Sequence, residues 1–183
     1  IGELQAKLAQ KGFSRAQLFQ MTPAVQDLAR GAGEGNEEDA TLAADLVSGT
    51  LRAFQLDADQ SGRVADVMTA AVNNSNFTLQ TLIDSMKYAS PVAKQFGLSL
   101  EETVATVAQM TNVNLDASTA GTSFRNMLLK LSDAGNRTKF LERLRKETGQ
   151  TVEMLDSAGN LKKLPEILFA VGEATKGISN AKR

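Results

Sequence analysis

The sequence predicts an all-α protein, a compact multi-helix domain of short helices. Two observations carry that expectation. Apolar residues recur at i, i+3, i+4 and i+7 through nearly every segment, while the strict alternation of a half-buried strand is almost missing. Helix starts and stops are also written in capping chemistry at short intervals, so no stretch is long enough for a sustained coiled coil. With 183 residues the chain is long enough for one domain or two small ones with a real core. We expect a helical core module over 1–132 and a C-terminal extension over 133–183 that packs on the same domain.

The elements follow from the residues in order. Ser14, Asp57 and Ser99 each have Gln or Glu three residues on, at Gln17, Gln60 and Glu102. That is the spacing of a capping box, in which the first side chain accepts from an orphan amide and the later one reaches back. Thr22-Pro23 is expected to split residues 14–31 into two pieces, with Thr as cap and Pro as first helical residue. The polar stretch from Arg30 to Asp39, with three glycines, reads as a loop. A phosphate-binding loop would need a Lys-Ser/Thr ending after a strand, and neither is present. Ala43, Leu46, Val47, Thr50 and Phe54 form one apolar stripe, and Val64, Val67, Met68, Ala71 and Val72 the next.

A third stripe runs through Leu79, Leu82, Ile83 and Met86. Ser90-Pro91 is expected to end that helix and open a short one to Phe96, because the residue before proline disfavours the helical conformation. Gly97 suits a left-handed helix stop. Leu100, Val104, Val107 and Ala108 continue after the Ser99 cap, and Ala120, Phe124, Met127, Leu128 and Leu131 make the fifth stripe. Gly121 sits mid-helix, where glycine costs about 1 kcal/mol relative to alanine. With Ala117 it leaves a small-residue notch, read as an intramolecular helix crossing in preference to an oligomer contact. Residues 133–137 read as a turn and Thr138–Thr148 as a charged helix. Residues 151–163 suggest a small β-hairpin turning at Asp156–Asn160. Leu164-Pro165 opens a last helix with Ile167, Leu168 and Val171 on one face.

The three capping boxes lie 43 and then 42 residues apart (Ser14, Asp57, Ser99). Each follows an apolar residue: Phe13, Leu56 and Leu98. This is a candidate repeat of helix, tight turn and capped helix, with a period in the range of helical solenoids. Positions eleven after the caps match (Val25, Met68, Met110), whereas those four after do not (Leu18, Ser61, Thr103). Chance spacing of short helices stays open as the other reading.

Composition narrows the function. The chain has no cysteine and no histidine, which excludes disulfides and thiolate zinc sites and removes the commonest general base and metal ligand. A net charge of −1 does not suit a general nucleic-acid or anionic-membrane surface. No apolar run approaches the roughly 20 residues of a membrane-spanning helix, and no signal-peptide pattern opens the chain. It begins at Ile1 and stops at Arg183 after a helix-like segment, as an excised piece would. Acidic pairs at Glu101-Glu102 and Glu37-Glu38-Asp39 stand at helix starts, where carboxylates serve the helix dipole. Asp57, Asp59 and Gln60 before Gly62 resemble part of a calcium loop, but Met68 occupies the position of its closing acidic ligand. We therefore assign no catalytic residue, cofactor or metal, and expect no enzyme.

Several blocks, in order, carry a resemblance. They are Ala44–Phe54, Arg63–Val67, Met86-Lys-Tyr88-Ala-Ser-Pro91-Val-Ala93, Gly97–Thr103, Ala120-Gly121-Thr-Ser-Phe124-Arg125 through Leu131, and the Asp156-x-x-Gly159-Asn160 turn before Leu164-Pro165. Together they resemble the core region of phage tail tape-measure proteins (minor tail proteins). The resemblance covers most of residues 4–180 and makes Tyr88, Pro91, Gly97, Ala120, Gly121, Phe124 and Arg125 family-motif or packing positions. It implies a structural part of a phage or prophage tail, inside the tail tube in the virion and in the host cytoplasm during assembly. There it would serve tail assembly and tail-length determination by contacts with tube, tip or assembly-chaperone proteins, or with further copies of itself. Helices that break every 10–18 residues do not read as the ruler itself, but as a folded module attached to it. A helical-repeat binding module unrelated to phage tails is the alternative. A cell-wall hydrolase would need catalytic residues that this stretch does not offer.

Overall fold

In the computed structural model, residues 2–112 and 115–176 are described. Ile1 and the end of the predicted extension, residues 177–183, lie outside them. The chain divides into two units, 1–125 and 126–183. The all-α class holds: the described residues form helices α1 (Gly2–Gln10), α2 (Arg15–Ala32), α3 (Glu37–Phe54), α4 (Ser61–Asn73), α5 (Leu79–Gln95), α6 (Leu100–Asn112), α7 (Ala117–Ser132), α8 (Ala134–Thr148) and α9 (Leu164–Thr175).

The first unit is a stack of helical hairpins. Helix α1 packs on α3 and α3 on α5, while α2 packs on α4 and α4 on α6, so odd and even helices form two layers. The 42–43-residue spacing marks the same junction three times. Helices α1, α3 and α5 each end with a residue at positive φ: Gly12 (+82°), Gln55 (+55°) and Gly97 (+68°). At each, the next amide returns to the carbonyl five residues back: Phe13 to Leu8 (3.4 Å), Leu56 to Leu51 (2.8 Å) and Leu98 to Ala93 (3.0 Å). This is the Schellman stop, followed each time by an apolar residue and then a cap position. Glycine reaches that conformation without a Cβ penalty; Gln55 does so with one.

Two of the three predicted caps form as expected. Ser14 and Gln17 make a complete capping box, and Ser99 and Glu102 exchange both bonds, at 3.1 and 2.9 Å. Asp57 makes no side-chain cap; a single 3-10 turn over Ala58–Gln60 intervenes before α4. A further capping box, Thr78 with Thr81, is not of the Gln/Glu type and escapes the motif.

Both predicted proline breaks are absent. Helix α2 runs through Pro23 and α5 through Pro91, and Thr22 turns its hydroxyl back onto the Leu18 carbonyl (2.6 Å) instead of capping. The physical reason is that each proline lies on the solvent side, where the carbonyl robbed of its donor is accessible to water. Apolar residues on both sides of each proline are meanwhile buried, Met21 and Val25 in α2, Met86 and Val92 in α5. Their packing outweighs the roughly 3 kcal/mol that an interior proline costs.

The second unit is built around Leu144, Val152, Met154, Ile167 and Ala174, with Leu131, Leu141 and Leu161 packed at its edge. Helix α8 begins at Ala134, capped by Asp133 through the Asn136 amide (2.7 Å). The predicted turn at 133–137 is therefore helix, because Asp133 supplies the start that Thr138 was expected to give. The hairpin is reduced to one antiparallel bridge, Leu155 with Leu161, and no strand forms among the described residues. Its turn is tight: the Asp156 carboxylate accepts from the amides of Ala158 and Asn160, both at 2.9 Å, and Gly159 takes φ +83°. Leu168 faces solvent at 40% exposure, not the core with Ile167.

Candidate assembly surface

Several of the acidic side chains that composition left as candidates for chemistry are engaged structurally, Asp39, Glu101 and Glu102 among them. The Asp39 carboxylate accepts from the amides of Glu34 (2.7 Å) and Gly35 (3.1 Å). Those are the amides a bound phosphate would use, so the glycine-rich loop is already closed on its own carboxylate. Glu101 makes a two-pronged pair with Arg63, at 2.7 and 2.8 Å, tying α6 to α4. The Arg63 guanidinium holds the Glu101 carboxyl below its ordinary value. Asp116 is drawn down to about 2 by the Thr119 hydroxyl and amide and the Ser118 hydroxyl, as the cap of α7. Glu101 and Asp116 are thus held ionised at neutral pH, unlike a general acid poised near neutrality. No group of three or more acidic side chains among the described residues is arranged to hold a metal ion. No helix among them is long and apolar enough to cross a membrane.

The seven motif positions separate into two classes. Ala120 and Phe124 are fully buried. At Gly121 a Cβ would stand 2.3 Å from the backbone oxygen of Ser85, so α7 meets α5 where only glycine fits. That is the intramolecular crossing read from the notch. Gly97 is the helix stop already described. These four residues position helices. Tyr88, Pro91 and Arg125 are instead exposed, with the Lys87 ammonium 5.9 Å from the centre of the Tyr88 ring. Tyr88 and Pro91 stand on the outer side of α5. Beside Pro91 a groove of about 260 Å³ separates α3 from α5, lined by Leu46, Gly49, Ala53, Ile83 and Met86.

A larger feature was not foreseen. In the second unit α8 and α9 bound an open groove of about 720 Å³, walled by Phe140, Leu144, Phe169 and Val171. Phe169 is 71% exposed and Phe140 42%. The signal was present in the run Ile167-Leu-Phe-Ala-Val171, which is apolar on more than one face of a helix. Reading only the face shared with Ile167 hid it.

The arrangement offers surfaces and helix junctions, and the comparisons agree with it. The family described as phage-related minor tail protein matches residues 1–183. The chain is similar to the tape measure protein of Pneumococcus phage Dp-1, 34% identical over 176 residues, which is 96% of this chain and 14% of that protein. It is similar also to a protein of Escherichia phage P2 named "Probable tape measure protein", 33% identical over 148 residues, 80% of this chain and 17% of that one. The chain thus spans less than a fifth of the length of these relatives. No solved structure matches it. Matched from its first residue to its last, and built of packed helices without a catalytic constellation among the described residues, the chain belongs to the phage-related minor tail proteins, as a region of the tape-measure type.

Proposed function

We propose that this chain is a folded structural module of a tail tape-measure protein, acting in tail assembly through protein–protein contacts rather than catalysis. The observation that carries the reading is the similarity over 96% of the chain to a tape measure protein. The structural engagement of Asp39, Glu101 and Glu102 supports it. In this reading the module meets tube, tip or assembly-chaperone proteins, or further copies of itself. It sits inside the tail tube in the virion and in the host cytoplasm during assembly. Its helices break too often for it to be the extended ruler, so it contributes to length determination as a folded part attached to one. The family match does not favour the alternative of a helical-repeat module unrelated to tails, although the stacked hairpins explain why the cap spacing suggested it.

The test is deletion of residues 84–131 from the full-length protein in the intact phage, with particle yield and tail length measured by electron microscopy. Yield is expected to fall sharply. Unchanged yield and unchanged tails would overturn the assembly role.

A further inference from the structure

The α8–α9 groove has the makings of a recognition site. Helix α9 buries Leu164, Ile167 and Ala174 in the core of the second unit, yet Phe169 on its opposite side is exposed, as is Leu168 at the margin of the buried face. An apolar residue at 71% exposure beside another aromatic at 42%, across a groove of about 720 Å³, is the geometry into which an amphipathic helix inserts its large side chains. The groove has the volume of an ordinary binding pocket.

Charge selects the occupant. Helix α8 carries five basic residues and only two acidic ones, Glu142 and Glu147. Lys139, Arg143 and Lys146, at i, i+4 and i+7, share one face of α8; of the three Arg143 lines the groove, as does Glu147. None of the three takes part in an ion pair within 4.0 Å among the described residues. On α9 the groove charges cancel, since Lys176 pairs with Glu173. The imbalance extends over the unit: residues 126–183 hold eleven basic and seven acidic side chains, and residues 1–125 nine and fourteen. A free basic face on α8 beside an apolar floor favours a ligand with an apolar stripe flanked by carboxylates, which also gains from electrostatic steering.

We propose that the groove between α8 and α9 is a docking site for an acidic amphipathic helix of a partner protein. This deepens the proposed assembly role, on which its biological setting rests, but the binding test runs in vitro, so either can fail without the other.

The probe is a synthetic helix of about 18 residues, five turns, with Leu and Phe at i, i+3, i+4 and i+7 and glutamate at the flanking positions. A control peptide replaces those glutamates with lysine. Binding to the complete 183-residue chain is followed by fluorescence anisotropy. The glutamate peptide is expected to bind and the lysine peptide not. Phe169→Ser, an exposed change that circular dichroism should show to be folded, is expected to weaken binding about tenfold or more. The triple change Lys139→Glu, Arg143→Glu, Lys146→Glu should reverse the preference between peptides. Equal binding of both peptides, or of neither, overturns the proposal. So does a dimer in sedimentation velocity that Phe169→Ser dissolves, because the face then belongs to a second copy.

Discussion

Two glycines in helices of this protein have opposite roles, and the space around them decides which. At Gly121 a Cβ would collide with the Ser85 carbonyl at 2.3 Å; backbone cannot yield as a flexible side chain can. Gly121→Val is therefore expected to destabilise the first unit by about 1–3 kcal/mol or more, read from the midpoint of urea unfolding. At Gly49, in the interior of α3, a Cβ would meet nothing within 4 Å. There Gly49→Ala should stabilise by about 0.5–1 kcal/mol. Equal effects would mean that helix propensity, not the crossing, governs both. Acid titration supplies a second check. Asp116 and Glu101 have folded-state pKa values below their ordinary ones. Their contribution is complete above the ordinary carboxylate range and is lost as pH falls through the folded value. For Asp116 that window runs from 3.8 down to about 2. Nuclear magnetic resonance should find its carboxyl half-protonated near pH 2, with the first turn of α7 still protected from exchange at about pH 3. An ordinary midpoint would show that the cap is not formed in solution. The exposed Arg63–Glu101 pair should add no more than about 1 kcal/mol.

Among the elements, the helix junctions were the most legible part of the sequence and the prolines the least. A capping box and a Schellman stop are local: Gly97, Leu98 and Ser99 specify a stop, an apolar anchor and a start without reference to anything distant. Proline is read locally too, and that reading predicted breaks at Pro23 and Pro91. The outcome depends instead on which side of the helix faces water, and tertiary packing sets that. Pro91→Ala is expected to restore a helical hydrogen bond on α5 and raise stability by up to about 3 kcal/mol, measured by thermal unfolding. A loss of stability would mean that the ring itself packs in the groove beside α3. The polar ties between successive hairpins could not be read in advance, because their partners are far apart in sequence. Lys11 pairs with Asp45 at 2.7 Å and Asn73 donates to the Gly31 carbonyl at 3.1 Å.

For the whole molecule the question is whether these residues measure length or fold into a part. A continuous helix rises 1.5 Å per residue, so removing residues 84–131 from a ruler would shorten the tail by about 70 Å and leave yield alone. Removing the same residues from a folded module takes away most of α5, all of α6 and the crossing at Gly121, so both layers of the first unit are cut. Misassembly, read as lost particles, is then the expected result. Shorter tails at normal yield would assign the segment to the ruler.

The sequence by itself determined the helical class and the family, and it marked the evenly spaced junctions and the small-residue notch at Gly121. It could do so because capping and periodicity are written in neighbouring residues, whereas the Ser85 backbone that leaves no space for a Cβ at Gly121 is distant in the chain. It also located the Asp156–Asn160 turn, though not that the flanking residues would form a single bridge. Only the tertiary structure decided that α2 and α5 survive their prolines, that Asp39 closes the glycine-rich loop, and that Phe169 stands in solvent at the groove beside α8. These are matters of which face meets which neighbour. Helical periodicity identifies an apolar face, but only packing determines whether the chain covers it.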